Sequence, residues 1–247
     1  MSTDDLMTLV RCTPSPKIAT RWSDYVALHL PGFQSALSSI PIPPGPGSIS
    51  TAEAFWVFCL MSELQPSIVI ESGSATGWSA FVIASAAPHA DIHCFDPYRR
   101  PELLPPNAHH VSADWTTLKR RFPGGTVALF DDHVNQRRRV LQAKRAKITN
   151  VLFHDVYRNL SKSNVSLMFA DLIGLAEYIH TFDPLWHVDP IFTDTSTNSQ
   201  MYRWLTWLQL TDNSRFAPRA IIRTTAQRHL PRNPAASKQA RKNWRAR

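Results

Sequence analysis

Residues 67–87 read Ser67-Ile68-Val69-Ile70-Glu71-Ser72-Gly73-Ser74-Ala75-Thr76-Gly77-Trp78-Ser79-Ala80-Phe81-Val82-Ile83-Ala84-Ser85-Ala86-Ala87. They form a β-branched run, an acid, a turn bracketed by two glycines and a small-residue apolar segment. Three consecutive β-branched residues, Ile68 to Ile70, mark a strand buried on both faces, the kind found inside a parallel sheet. Gly73 and Gly77 permit positive φ and the close approach of a ligand or a neighbouring strand. From Ser79 to Ala87 the side chains are small enough for a helix to lie tight on that sheet. The free N–H groups and positive dipole end of this helix face the turn, where an anionic or polar ligand can settle.

Outward from this unit the pattern repeats. Asp91 to Phe95 reads as a second strand ending in Asp96, roughly 20 residues after the glycine turn, where an acid can accept both hydroxyls of a ribose. The competing reading of Asp96 is an Asp-Pro turn former, because Pro97 follows it. His109 to Ser112 predicts a third strand, with Asp114 just beyond it, near where an adenine would lie. Thr126 to Phe130 predicts a fourth, delivering Asp131, Asp132 and His133, and Val134 to Lys147 then reads as a basic helix. Asn150 to Phe153 is a fifth strand, followed by His154 and Asp155. Before the first strand, Ser50 and Glu53 form a Ser-x-x-Glu capping box ahead of an apolar helix from Ala54 to Leu64. Alternating strands and helices predict an α/β fold: a doubly wound, mostly parallel Rossmann-like sheet with helices on both faces and ligands outside the strand carboxyl ends.

The glycine spacing bears on the ligand. A dinucleotide fingerprint needs Gly-x-Gly-x-x-Gly, whereas Ala75 occupies the place of the second glycine and no third is in register, which disfavours NAD. An acid two residues before the first glycine, followed by Gly-x-x-x-Gly, resembles the first motif of class I S-adenosylmethionine-dependent methyltransferases. The resemblance implies that Glu71 holds the methionine end of the cofactor or the loop itself, that Gly73, Ser74 and Gly77 wrap beneath the cofactor, and that Asp96 and Asp114 complete its site. The competing reading is a structural strand-to-helix turn.

Phe130-Asp131-Asp132-His133 and Phe153-His154-Asp155 form a second constellation, because oxygen-rich strand ends suit a hard divalent cation such as Mg²⁺. Over residues 50–158 the chain resembles the catechol-type O-methyltransferases, and more closely the cephalosporin hydroxylase-like and rhamnosyl O-methyltransferase group. That likeness implies Asp132 and Asp155 as metal ligands, Asp131 as a supporting or alternative ligand, and His133 near the cofactor. It departs from the group at Val156, where Asn or a second acid is common. A metal there would bind and acidify a substrate hydroxyl, and His133 or His154 would take its proton. The competing reading has the carboxylates satisfying loop N–H groups and arginines. The acceptor expected is a small-molecule or glycan hydroxyl.

Bulk properties set the remaining bounds. The 247 residues carry a net charge of +8, 19 prolines, 8 glycines and 3 cysteines without Cys-x-x-Cys spacing. Such cysteines indicate neither a disulfide framework nor a cysteine zinc site and point to a reducing compartment, the cytoplasm. The opening residues lack the basic-then-apolar order of a secretory signal, and no apolar run has membrane-spanning length. Ten Lys or Arg and no acid lie in residues 215–247, leaving 17 basic and 19 acidic residues in 1–214. The expected organisation is an arm over 1–49, a Rossmann-like domain over 50–227 and a basic, disordered tail over 228–247. In the arm, Arg21 to Leu30 reads as a short helix. The tail is either a solvated extension or a contact for nucleic acid or an anionic surface. Late in the chain, Leu172 to Ile179 reads as helical, Met201, Trp204, Leu205 and Leu208 fit a helical core stripe, and Ala220 to Ile222 reads as a final strand. Trp186, His187, Asp189 and Asp194 lie in a proline-interrupted loop suited to substrate groups. Beside the methyltransferase stand two further readings, a catalytically silent Rossmann-fold scaffold and an RNA-associated protein using the tail.

Overall fold

The computed structural model describes residues 22–45, 48–154, 176–182 and 205–210. The chain divides into two compact units, Met1–Asp212 and Asn213–Arg247, and every described residue belongs to the first. Asp155, Val156, the loop bearing Trp186 to Asp194, the segment from Ala220 to Ile222 and the basic tail lie outside the described residues. Among the described residues, no helix is long and apolar enough to cross a membrane.

In chain order the elements are α1 (Trp22–Ser39), α2 (Thr51–Leu64), β1 (Ile68–Ser72), α3 (Trp78–Ala86), β2 (Asp91–Phe95), β3 (Ala108–Val111), a 3-10 turn (Trp115–Leu118), β4 (Val127–Phe130), α4 (Gln136–Arg145), β5 (Asn150–Phe153), β6 (Ala176–Phe182) and β7 (Leu205–Leu210). The seven strands form one sheet in the order β3-β2-β1-β4-β5-β7-β6. Strands β1 to β5 pair in parallel, whereas β7 runs antiparallel to both β5 and β6. This is the doubly wound α/β sheet expected, with an antiparallel strand inserted near one edge.

The sheet separates two apolar cores. Val69, Ile92, Leu129 and Leu152 face one core together with α2 and α3. Their neighbours Ile70, Phe95, Ala128, Phe130 and Val151 face the other, with Val140 and Ala143 of α4. Strand side chains alternate between faces, so adjacent residues enter different cores, and a strand covered on both sides is apolar throughout. Helix α2 begins at the predicted capping box: Glu53 N donates to Ser50 Oγ at 3.3 Å, and Ser50 N donates to Glu53 Oε2 at 2.8 Å. Its Phe55, Trp56, Leu60 and Met61 are fully buried, each contributing about 1.5–3 kcal/mol of transfer free energy.

Three elements differ from their sequence reading. Helix α1 continues through Pro31 to Ser39. A proline removes one helical hydrogen bond, but Phe33 beyond it packs edge-on against Phe55 at 5.4 Å and against Phe58 at 5.5 Å, and this anchorage carries the second half. Of the segment read as helical at Leu172 to Ile179, the part from Ala176 on is strand β6, and Leu205 and Leu208 of the expected helical stripe lie in strand β7, while Met201 and Trp204 lie outside the described residues. In β7, Leu205 and Trp207 enter one core while Leu208 and Leu210 enter the other. A short strand buried on both faces satisfies a helical spacing by accident, because most of its positions are apolar.

Candidate cofactor site

The parallel register lines up the chemistry. Ser72 pairs with Phe95 and with Phe130, and Phe130 pairs with Phe153. The next residues, Gly73, Asp96, Asp131 and His154, therefore stand in one row along the carboxyl edge. Backbone bonds continue the sheet into this row: Gly73 N donates to Phe95 O at 2.8 Å, Asp131 N to Ser72 O at 2.8 Å and His154 N to Phe130 O at 3.1 Å. Strand order reverses between β1 and β4, the crevice where open α/β sheets bind ligands.

The loop after β1 alternates in hand, with φ of +96° at Gly73, +43° at Ala75 and +92° at Gly77. A Cβ at Gly73 would collide with the Asp131 carbonyl and the Asp132 amide, and one at Gly77 with the Leu103 carbonyl. The two glycines thus let the loop press against the β4 loop on one side and residues 101–104 on the other. Gly77 caps α3 without a side-chain hydrogen bond. Within the loop, Ser74 Oγ and Thr76 Oγ1 are buried with no hydrogen-bond partner among the described residues. Buried hydroxyls of this kind cost stability unless a partner arrives, and here they flank a helix N-terminus.

Glu71 is 1% exposed, and both of its carboxylate oxygens are engaged: Ser79 Oγ donates to Oε1 and Cys94 Sγ to Oε2 at 3.1 Å. Burial pushes its carboxyl up to about 7, with the Ser79 and Cys94 bonds opposing and the charges of Asp131 and Asp96 adding to the rise. Of the two roles inferred for Glu71, this geometry is that of a clasp joining β1, β2 and α3. Asp96 is 7% exposed, and its Oδ1 accepts from Tyr98 N and Arg99 N, each at 2.9 Å. One oxygen therefore forms the Asp-Pro turn, while Oδ2 has no protein partner among the described residues. Asp114, with its side chain 41% exposed, is already engaged: it caps the 3-10 turn through Thr116 N at 2.9 Å and receives Arg139 Nη2 at 2.7 Å. Burial raises its pKa, but the Arg139 and Thr116 bonds outweigh this and hold it down to about 2.

Asp131 and Asp132 are clamped on opposite faces. On the α2 face, buried His154 meets Asp131 Oδ1 through Nδ1 at 2.7 Å and Glu53 Oε2 through Nε2 at 3.2 Å. Burial opposes the charged ring, but the two carboxylates outweigh it and raise the His154 pKa well above the ordinary histidine range. On the α4 face, the Arg139 guanidinium, 2% exposed, reaches Asp132 Oδ2 at 2.6 Å as well as Asp114. Ser72 Oγ donates to the same Asp132 oxygen at 2.5 Å, and Val134 N to Oδ1 at 3.1 Å. His133, exposed and left-handed at φ +52°, stands between the clamps at the end of β4.

These contacts bear on three expectations. His154 has both ring nitrogens committed to Asp131 and Glu53, and those carboxylates raise its pKa, which works against its accepting a proton from a substrate. Asp132 already has its charge met by the Arg139 guanidinium where a metal ligand would be open to a metal ion, and Asp114 is turned to the same arginine. No group of three or more metal-ligating side chains gathers among the described residues. The donor set around Asp132 thus does not fit Mg²⁺; the other ligand inferred, Asp155, is not among the described residues. Sequence reasoning had missed Arg139, and it had read Glu53 only as a helix cap. Arg139 carried a faint signal as one arginine of Arg137-Arg138-Arg139, whereas the union of Glu53 with His154, 101 residues apart, carried none.

No protein-family model matches the sequence, and no curated protein matches it. The chain is similar to several solved structures. One is an O-methyltransferase from Bacillus cereus in complex with SAH, at 10% identity and a TM-score of 0.46, covering 77% of this chain and 97% of that one. Another is the SAM-bound O-methyltransferase TomG from Streptomyces achromogenes, involved in tomaymycin synthesis, at 12% identity and 0.45, covering 79% and 93%. A third is an SAH-bound Podospora anserina methyltransferase, at 12% identity and 0.43, covering 80% and 97%. At these values no residue role passes from them to this chain.

Proposed function

We propose that the chain binds S-adenosylmethionine across the carboxyl ends of β1 and β2 and transfers its methyl group to a hydroxyl of a small-molecule or glycan acceptor. One observation carries the reading: the glycine loop after β1, which borders the point where strand order reverses, stands side by side with Asp96 at the end of β2. Asp96 Oδ2 is the acceptor for ribose hydroxyls, and Ser74 and Thr76 are the buried hydroxyls that a polar ligand would satisfy. The antiparallel β7 between β5 and β6 departs from the parallel dinucleotide-binding order, which again disfavours NAD.

The bound sulfonium supplies an already activated methyl group, so the protein has only to align an oxygen and help it lose its proton. In this reading Glu71 fixes the loop, Asp96 orients the ribose, and His133 accepts the hydroxyl proton at a ring nitrogen. No step runs through Mg²⁺. A cofactor-binding scaffold without turnover is the second reading, favoured by the internal pairing of Glu71, Asp114, Asp131 and Asp132.

Calorimetric titration with S-adenosylmethionine and S-adenosylhomocysteine tests the proposal. Saturable binding is expected, and Asp96→Asn, which keeps Oδ1 for the turn and replaces the other oxygen by a donor, should lose about tenfold or more in affinity. Absence of binding to a folded sample would refute the cofactor assignment. Normal binding by Asp96→Asn would refute the ribose role alone. Methyl transfer that falls in His133→Ala while cofactor affinity holds separates the enzyme from the scaffold.

A further inference from the structure

Residues 115–125 and 136–147 hold nine Lys or Arg and no acid, of which Arg139 is the buried partner of Asp114 and Asp132. They face each other across a cavity of about 450 Å³ whose lining includes Lys119, Arg120, Arg121, Gln142 and Arg145. The walls are tied by Phe122 N donating to Ala146 O at 2.8 Å, so the groove is built into the fold. Arg120 is held in place, with its guanidinium 4.7 Å from the centre of the Phe122 ring and Nη2 3.5 Å from His93 Nε2. The side chains of Lys119, Arg121 and Arg145 are exposed and make no ion pair among the described residues. Trp115, also in the lining and 2% exposed, has a buried indole N–H without a partner. Residues 1–214 carry slightly more acids than bases, so this concentration of cations is local and not an effect of overall charge.

We infer that this groove binds the phosphate backbone of a single-stranded nucleic acid. Lys119, Arg120 and Arg121 on one wall and Arg145 on the other match a chain of phosphates that runs along an open groove, no acid is in the lining, and the adjacent Asp114 is neutralised by Arg139. A membrane surface fits less well: it is broad and cannot enter a groove, and the large apolar side chains exposed among the described residues, Leu28, Tyr98 and Leu103, are not in the lining. The inference does not rest on the cofactor reading, and either can fail without the other.

The test is fluorescence anisotropy of a labelled oligouridylate with the full-length protein, across a salt series. It is run with the tail cations Arg228, Arg232, Lys238, Arg241, Lys242, Arg245 and Arg247 intact and, separately, with all seven replaced by glutamine. In both backgrounds the exposed pair Arg121→Glu with Arg145→Glu should weaken binding about tenfold or more and flatten the log–log salt slope by about 1.4, the value for two lost phosphate contacts on a single strand. Arg121→Gln with Arg145→Gln should show the same slope change with a smaller loss, and circular dichroism should show unchanged folding in both pairs. Binding and slope that remain unchanged overturn the proposal, as does loss of all RNA binding once the tail is neutralised. If the paired variants instead lose binding only to phosphatidylserine vesicles, or if pyrophosphate at a few molar equivalents displaces the RNA, the nucleic-acid assignment is also overturned.

Discussion

Asp131 and Asp132 are adjacent in the loop after β4, yet each is held on a different face of the sheet by a buried cation shared with a second carboxylate. On one face the order is Glu53, His154, Asp131; on the other it is Asp114, Arg139, Asp132. The arrangements match in charge and differ in chemistry. A guanidinium stays charged at every accessible pH and presents a fork to two carboxylates, whereas an imidazolium is charged only while its neighbours keep it so. The loop that touches Gly73 is thus fixed on one side by a permanent clamp and on the other by a titratable one. Glu71, between them and without a cation, shows what happens to a carboxylate left uncompensated: burial drives its pKa to about 7.

The most damaging way to break the comparison is Arg139→Met. It leaves Asp132 and Asp114 facing each other without a cation, and the cost should be about 4 kcal/mol, read as a fall in urea midpoint at pH 7. A loss below about 1 kcal/mol would mean that the guanidinium is not the clamp. His154→Gln should cost less, about 3 kcal/mol at pH 5.5, with a distinctive pH dependence. The raised pKa of His154 means that its contribution is complete below the unfolded value near 6.5 and fades as pH rises through the folded value. Glu53, whose pKa is lowered despite burial by His154 and Ser50, adds stability that is complete above its ordinary 4.5 and fades as pH falls through its folded value. The difference between wild type and His154→Gln should therefore peak between these limits and shrink on both sides. The Arg139→Met difference should hold through neutral and alkaline pH and shrink only as acid takes Asp114 from its ordinary 3.8 through about 2. A flat profile for His154→Gln would remove the distinction between the two clamps.

Glu71→Gln sharpens the comparison with the smallest effect. A carboxyl raised from 4.5 to about 7 stabilises the fold fully below pH 4.5, and that contribution is lost as pH climbs through 7. The variant should lack this slope and gain about 2–3 kcal/mol relative to wild type at pH 8 over its value at pH 5. Parallel curves for the two proteins across that range would show that Glu71 does not titrate there.

Much of this was legible in the sequence because the information was local. Ile68-Val69-Ile70 followed by Glu71 and Gly73 specified a strand, a turn and a helix, and repetition of the unit specified the sheet. Ser50 and Glu53 specified a helix start by themselves. Strands β6 and β7 were not legible, because the four apolar residues among the six of Leu205 to Leu210 fit a helical spacing as well as a strand, and its pairing with β5 is a contact across more than fifty residues.

The amino-acid order alone determined which residues would reach the carboxyl edge, since parallel strands of known register end in a predictable row. Only the tertiary structure decided what each of them does there. It turned Asp132 and Asp114 toward Arg139, closed His154 between Asp131 and Glu53, gave one oxygen of Asp96 to a turn, and left Ser74 and Thr76 unsatisfied. Secondary structure follows from neighbours a few residues apart, whereas a buried charge takes whichever partner the packed helices bring to it, at any distance along the chain.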